Sequence, residues 1–171
     1  MTEQQKSIGT GMYVLAWLAI MTLAGFWFQD VLDKQNNPNQ QLLTRYDDSG
    51  IREVSLQRNK YGHYVTSGKI NGHEVVFMLD TGATGVAIPD HIASELKIER
   101  GQPFRTYTAN GTAIAYATRL ETVSVGDIEL SDVSAGISPG LQGDEVLLGM
   151  SFLRHIEFTQ RGDTLILKQY P

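Results

Sequence analysis

Hydrophobic and polar positions fall into three textures along the chain. The first is continuous: residues 8–28 carry no charge and few polar groups, and as a helix the run would extend about 31 Å, close to the hydrocarbon thickness of a bilayer. We read it as a transmembrane helix, preceded by a short tail of residues 1–7. The competing reading is a cleaved secretory signal, whose apolar core is shorter and ends on small residues. This run ends instead in Phe26, Trp27 and Phe28, the bulky aromatics found at membrane interfaces. The second texture, residues 29–50, is rich in Gln, Asn and Asp, contains Pro38 and has no hydrophobic period. It predicts a flexible polar linker, with a root-mean-square reach of roughly 25 Å.

From residue 51 to residue 171 the pattern changes to short β-branched runs separated by turn signals, which predicts an all-β domain with one or two short helices. Val54 and Leu56 alternate with polar neighbours. Runs at 64–70 and 73–79 flank Asn71-Gly72, the strongest short hairpin signal. A strand at 86–88 follows, and Pro89-Asp90 opens a helix reaching about Leu96. A second Asn-Gly pair, Asn110-Gly111, sits between Thr-rich arms and predicts a hairpin with a small polar tip. Strands are then expected at 120–125, at 128–130 and around Val133, Ala135 and Ile137, with a loop at 140–145. Val146, Leu147 and Leu148 read as a short buried strand stopped by Gly149, and a helical turn and a terminal hairpin close the domain.

Composition narrows the functions available. A formal charge of -5 without clustered Lys or Arg argues against a nucleic-acid partner. The absence of cysteine removes disulfides, thiolate zinc sites and a Cys nucleophile. His63, His73, His91 and His155 lack metal-ligand spacing, so no metal or cofactor is expected. Gly149-Met150-Ser151-Phe152-Leu153 breaks the serine-hydrolase elbow at its last position. The charge asymmetry around 8–28 is too small to orient the helix, and an N-in, C-out arrangement is favoured mainly by the short leading segment.

One stretch stands out as chemistry. Asp80-Thr81-Gly82-Ala83-Thr84 directly follows the apolar run Val75-Val76-Phe77-Met78-Leu79, and Asp-Thr-Gly occurs only once. Alone it has a plain explanation, since Asp organises turns through its own backbone. The plain alternative for Gly149 is a strand-ending glycine, and that for 107–112 is an ordinary surface hairpin. In combination, however, the Asp80 turn, the hairpin around Asn110-Gly111 and the Leu147-Leu148-Gly149 segment follow one another in a distinctive order.

This order resembles that of the retropepsin-like aspartic proteases, and specifically of their bacterial membrane-anchored members with an Asp-Thr-Gly-Ala signature and a Leu-Leu-Gly-Met-Ser-Phe-Leu segment. The resemblance spans about residues 51–168. It implies a closed retropepsin-like barrel, one acid-protease lobe per chain, and a homodimer in which Asp80 and its symmetry mate share a site that hydrolyses peptide bonds. By the same resemblance, Thr81 hydrogen-bonds across the twofold, Gly82 presents its N–H to the carboxylate, and Ala83 and Thr84 complete the active-site loop. Thr84 departs from the Asp of many viral members and is read as a turn-supporting hydroxyl. Tyr107, Thr108, Ala109, Asn110, Gly111 and Thr112 would form a flap over a peptide or protein substrate, and Leu147, Leu148 and Gly149 would pack beside the loop. The membrane-anchored members also imply a bacterial inner-membrane protein with its protease domain in the periplasm. The alternative function is a catalytically weak module of the same fold that binds or scaffolds a peptide.

Overall fold

The computed structural model describes residues 3–108 and 111–171, with side chains from residue 11 onward apart from Thr108. Its internal contacts divide into an N-terminal helix, through Gln35, and a β domain from Asn36 to Pro171.

Helix α1 spans Glu3–Asn36, longer at both ends than the sequence pattern suggests. Residues 3–7 of the expected tail are helical, while Met1 and Thr2 lie outside the described residues. Within Gly11–Asn36 an 18-residue window has a mean hydropathy of 1.7, and the helix is long and apolar enough to cross a membrane. Past the apolar run two side-chain pairs carry it on: the Gln29 amide donates to Asp33 at 2.9 Å and Lys34 pairs with Asp30 at 2.6 Å. Each such pair, four residues apart, adds about 0.2–0.5 kcal/mol to helix stability. Pro38 then excludes the helical conformation at the residue before it, and α1 stops.

The expected linker at 29–50 is therefore corrected: it is helical to Asn36, and from Asn37 it is built into the β domain. Asn37 and Asn39 are buried. The Asn39 amide donates to the carbonyls of Gln57 and Val65 at 2.9 and 2.7 Å, and its side-chain oxygen accepts the Gln57 N–H at 2.7 Å. Its backbone carbonyl accepts from the Ser67 N–H, and the Asn37 side chain bonds both the Asn39 N–H and Ser67 Oγ. Strand β1, Thr44–Tyr46, follows and pairs antiparallel with β2, Arg52–Gln57. Polar composition made 29–50 look like linker, yet its asparagines satisfy backbone groups of strands distant in sequence. The β domain accordingly begins before residue 51.

The Asn71-Gly72 hairpin forms as predicted. It joins β3, Val65–Ile70, to β4, His73–Leu79, and both turn residues take positive φ, 50° and 81°, as a primed two-residue turn demands. Strand β5, Val86–Pro89, leads into the short helix α2, Asp90–Glu95. Strand β6, Pro103–Thr108, and β7, Gly111–Val125, form the second hairpin, and β8 spans Ile128–Ser138. β7 and β8 are each continuous where the sequence suggested shorter pieces. Their pairing keeps one register on both sides of Asp132, which takes φ 58° mid-strand and pairs with Arg119. Strand β9, Glu145–Leu148, helix α3, Met150–Leu153, and the hairpin of β10, Glu157–Arg161, with β11, Thr164–Gln169, complete the domain.

Four strands form one sheet in the order β1-β2-β11-β10, and seven form another in the order β3-β4-β9-β5-β8-β7-β6. In the larger sheet β3 also pairs with β7, through Lys69↔Ser124 and Ile70↔Val123, so the sheet closes on itself. Alternating positions of both sheets feed one core. Val54 and Leu56 of β2 lie opposite Leu167 and Leu165 of β11 and join Phe77, Ile88, Ile137 and Leu148 in a single buried cluster.

The pairing of β9 decides the geometry of the site. It runs parallel to β4, with Leu79 opposite Leu148, and antiparallel to β5, with Ala87 opposite Leu147. The turn linking β4 to β5 must therefore pass over the end of β9, where Gly149 sits. A Cβ at Gly149 would lie 2.2 Å from the Gly85 carbonyl oxygen and 2.6 Å from that of Ala83. Both are backbone atoms without rotamers to yield.

Two outcomes follow. Gly149→Ala should destabilise the protein by about 1–3 kcal/mol through overpacking against fixed backbone, measured by urea unfolding of the detergent-solubilised chain. Asn39→Asp, which sets an oxygen where a donor faces two carbonyls, should cost about 1–3 kcal/mol in the same assay.

Candidate active site

The turn following β4 is pinned at both ends by main-chain bonds. The Asp80 N–H donates to the Leu148 carbonyl at 3.2 Å, so β9 holds the residue at the strand's exit. The Ala83 N–H donates back to the Asp80 carbonyl at 3.2 Å, and the Ala83 carbonyl accepts the Met150 N–H at 2.8 Å. Asp80 thus has its backbone tied to β9, while Ala83 is tied to the first residue of α3. α3 is itself anchored by Phe152 and Leu153, both buried.

Within this frame the Gly82 N–H donates to Asp80 Oδ1 at 2.8 Å. A Cβ on Gly82 would stand 3.1 Å from the same oxygen, so glycine leaves the carboxylate room to accept that bond. Asp80 and Ala83 are half-buried, whereas Thr81, Gly82 and Thr84 are exposed. The turn presents a carboxylate and two hydroxyl side chains on an open face, over a rigid base. A carboxylate so placed can accept hydrogen bonds or a proton. One carboxylate alone does not provide the acid and base together.

The supporting segment lies beneath the turn. Leu148 is fully buried, Leu147 is half-buried between β4 and β5, and Gly149 occupies the space under Ala83 and Gly85. A further residue joins them, one to which the sequence pattern assigned no role. Ser151 Oγ accepts the Val86 N–H at 3.0 Å, fixing the start of β5 just past the turn. The signal for it was a hydroxyl residue two positions after the close-packed glycine, visible only once β5 is known to lie alongside.

The proposed flap is a real hairpin built on a different part of the sheet. Tyr107 pairs with Thr112 and Thr108 with Gly111; Gly111 has φ 109°, and Ala109 and Asn110 lie outside the described residues. Tyr107 is 85% exposed and Ile114 61% exposed, so the arms offer apolar surface to solvent. The bonds that tie the Asp80 turn to the rest of the domain run to Leu148 of β9 and Met150 of α3, whereas the hairpin rests on β8 through β7.

Among the described residues no group of three or more His, Asp or Glu side chains could hold a metal ion. His91 lies 3.2 Å from Asp144, and His155 accepts from Arg154. The Ser49 hydroxyl and the Ile51 N–H hold the Asp47 carboxyl below its ordinary range, and the Arg119 guanidinium does the same for Asp132. Both lie outside the turn.

Comparison with known proteins agrees with this geometry. Residues 66–155 match the family of gag-polyprotein putative aspartyl proteases, a span that contains the Asp80 turn, β9 and Gly149. An uncharacterized protein in the cobV 5′ region of Sinorhizobium sp is 32% identical over 126 residues, covering 71% of this chain and 54% of that one. Uncharacterized protein RP867 of Rickettsia prowazekii (strain Madrid E) is 32% identical over 121 residues, covering 68% and 52%. The chain thus spans about half the length of these relatives. A crystal structure of a retropepsin-like aspartic protease from Rickettsia conorii superposes with a TM-score of 0.58 at 27% identity, covering 75% of this chain and 95% of that one. With the matched span enclosing the whole turn and the strand beneath it, the chain belongs to the gag-polyprotein putative aspartyl protease family and is a retropepsin-like aspartic protease by fold.

Proposed function

We propose that the protein is an aspartic endopeptidase whose active site is completed by a second copy of the chain. The observation that carries this reading is the Asp80 turn: a rigidly based carboxylate on an open face, in a chain of this family that holds Asp-Thr-Gly once. Two such faces brought together on a twofold axis place two carboxyls side by side. Like charges at that separation cannot both ionise cheaply, so the pair retains one proton. The ionised Asp80 takes a proton from a water as its oxygen attacks the peptide carbonyl. The protonated Asp80 of the other copy donates a hydrogen bond to the carbonyl oxygen, and the tetrahedral intermediate collapses as the Asp80 that took the water's proton passes it to the leaving amine, which restores the singly protonated pair.

In this reading Thr81, exposed beside the carboxylate, reaches the opposite loop, and residues 107–112 close over the bound peptide and exclude water. Helix α1 anchors the protein in a bacterial inner membrane with the β domain on the periplasmic side. Anchoring also favours pairing, because confinement to a membrane raises the effective concentration of one copy for another.

Asp80→Asn tests the reading. The amide keeps the shape and the bond from Gly82 but cannot hold the shared proton. Peptide cleavage by the full-length protein should fall by at least about 10³-fold, while its unfolding transition and dimer fraction in detergent stay as in wild type. Cleavage undiminished in Asp80→Asn would sink the proposal. A wild type that binds peptides tightly without cutting them at any pH would identify a binding module instead.

A further inference from the structure

The smaller sheet ends on an uncovered strand. β10, Glu157–Arg161, pairs with β11 on one side, and each of its residues is exposed. Among the described residues nothing pairs with its outer edge. Gly162, at φ 58°, and Asp163 form the turn of this hairpin, with Arg161 opposite Thr164. A two-residue turn of this kind bonds the residues that flank it. Arg161, Thr159 and Glu157 therefore direct their main-chain groups to β11, whereas Phe158 and Gln160 direct theirs outward, where a further strand can bond them. Side chains alternate in step. Phe158 and Gln160 lie opposite Leu167 and Leu165, both buried, and share the core face with them. Phe158 is nonetheless 38% exposed, because the core face runs out at β10. Glu157, Thr159 and Arg161 share the opposite face, where Glu157 accepts the Tyr170 hydroxyl of its own chain at 2.6 Å.

This edge is complementary to itself. In an antiparallel pairing with a second β10, centred on Thr159, Glu157 stands opposite the partner's Arg161, and Arg161 opposite the partner's Glu157. Opposite charges so placed stabilise a strand pair. Phe158 stands opposite the partner's Gln160, so the outward main-chain groups of each strand bond those of the other. The two Phe158 side chains become diagonal neighbours, within reach of one another as aromatics, and each covers the other. The other edge of the sheet, β1, lacks this match: a twofold pairing centred on Arg45 sets like charges directly opposite, which repel. We infer that two copies of the chain pair through β10, joining their four-stranded sheets into one, and that this is the pairing that completes the active site. The inference rests on the reading of Asp80 as one half of a catalytic pair. α3 links the edge to the turn. The Met150 N–H holds Ala83, Ser151 holds the start of β5, and β10 follows after residues 154–156 alone. A copy seated on β10 is thus seated on the continuation of the segment that shapes the Asp80 turn.

The chain has no cysteine, so one introduced thiol reports on the pairing without interference. At the centre of the proposed pair, Thr159 faces its own copy at a non-hydrogen-bonded position, with Cα atoms about 4.5 Å apart, inside the range a disulfide spans. Full-length Thr159→Cys in detergent should therefore crosslink under mild oxidation at least about tenfold faster than Arg45→Cys on the opposite edge. Charge substitutions give an independent measure. Glu157→Arg and Arg161→Glu should each weaken dimerisation about tenfold by setting like charges opposite one another, and the double swap should restore it. Activity is read with a peptide selected for cleavage by wild type from a random library. Diluted until wild type dissociates and stops cutting, oxidised Thr159→Cys should keep its activity per chain, and a reductant should abolish it. Crosslinking no faster than Arg45→Cys, or a double swap no tighter than the single variants, overturns the β10 pairing. So does a crosslinked dimer that cannot cut the peptide while wild type can, and each of these results leaves the peptidase reading intact. If wild type and crosslinked dimer both cut no library peptide at any pH, the peptidase reading falls, and the β10 pairing fails with it as the device that completes an active site.

Discussion

The structure depends on one strand placed between two others. β9 lies between β4 and β5 and pairs with both, so the chain leaving β4 must cross the end of β9 before it can enter β5. That crossing is the Asp80 turn. The strand end below it must be nearly flat, and Gly149 supplies this where any side chain would collide with the carbonyls of Ala83 and Gly85. The turn is tied at Asp80 to the Leu148 carbonyl and at Ala83 to the Met150 N–H, both main-chain groups far away in sequence. Side-chain substitution leaves main-chain donors and acceptors in place, so the turn is insulated from most changes around it.

The same arrangement explains why the site is open. The turn's interior-facing bonds are spent on β9 and α3, while Thr81, Gly82 and Thr84 remain exposed. The exposed arm residues Tyr107 and Ile114 of the second hairpin add apolar surface elsewhere on the domain. A retropepsin-like lobe with a single carboxylate has chemical use for such an open face if a second lobe meets it.

What the sequence made legible was local. Asn71-Gly72 has its turn conformation encoded in two residues, and the alternation in β2 and β11 shows which face is buried. The Asp80 turn and Gly149 were readable because their residue types are unusual and their order is distinctive. What stayed hidden was long-range. Nothing in a Gln- and Asn-rich stretch announces that Asn39 will satisfy Gln57 and Val65, because those partners exist only after β2 and β3 have paired. β7 looked like two strands because its first half is Thr- and Ala-rich, and β8 because Asp132 interrupts it; pairing with each other keeps both continuous. Ser151 escaped notice for the same reason as Asn39: its hydrogen bond is to a backbone amide far away in sequence.

The insertion of β9 also sets an order of events during synthesis. Asp80 emerges with the β3–β4 hairpin, whose contacts are local and quick to form. The groups that shape its turn, on Leu148, Met150 and Ser151, are made much later in the chain. Non-local pairings of this kind form slowly, after their loop-closure entropy has been met. The Asp80 turn therefore takes its observed geometry only after β9 and α3 have been made, when the barrel is nearly complete. The geometry of the turn is thus settled late, by chain topology more than by the residues of the turn itself.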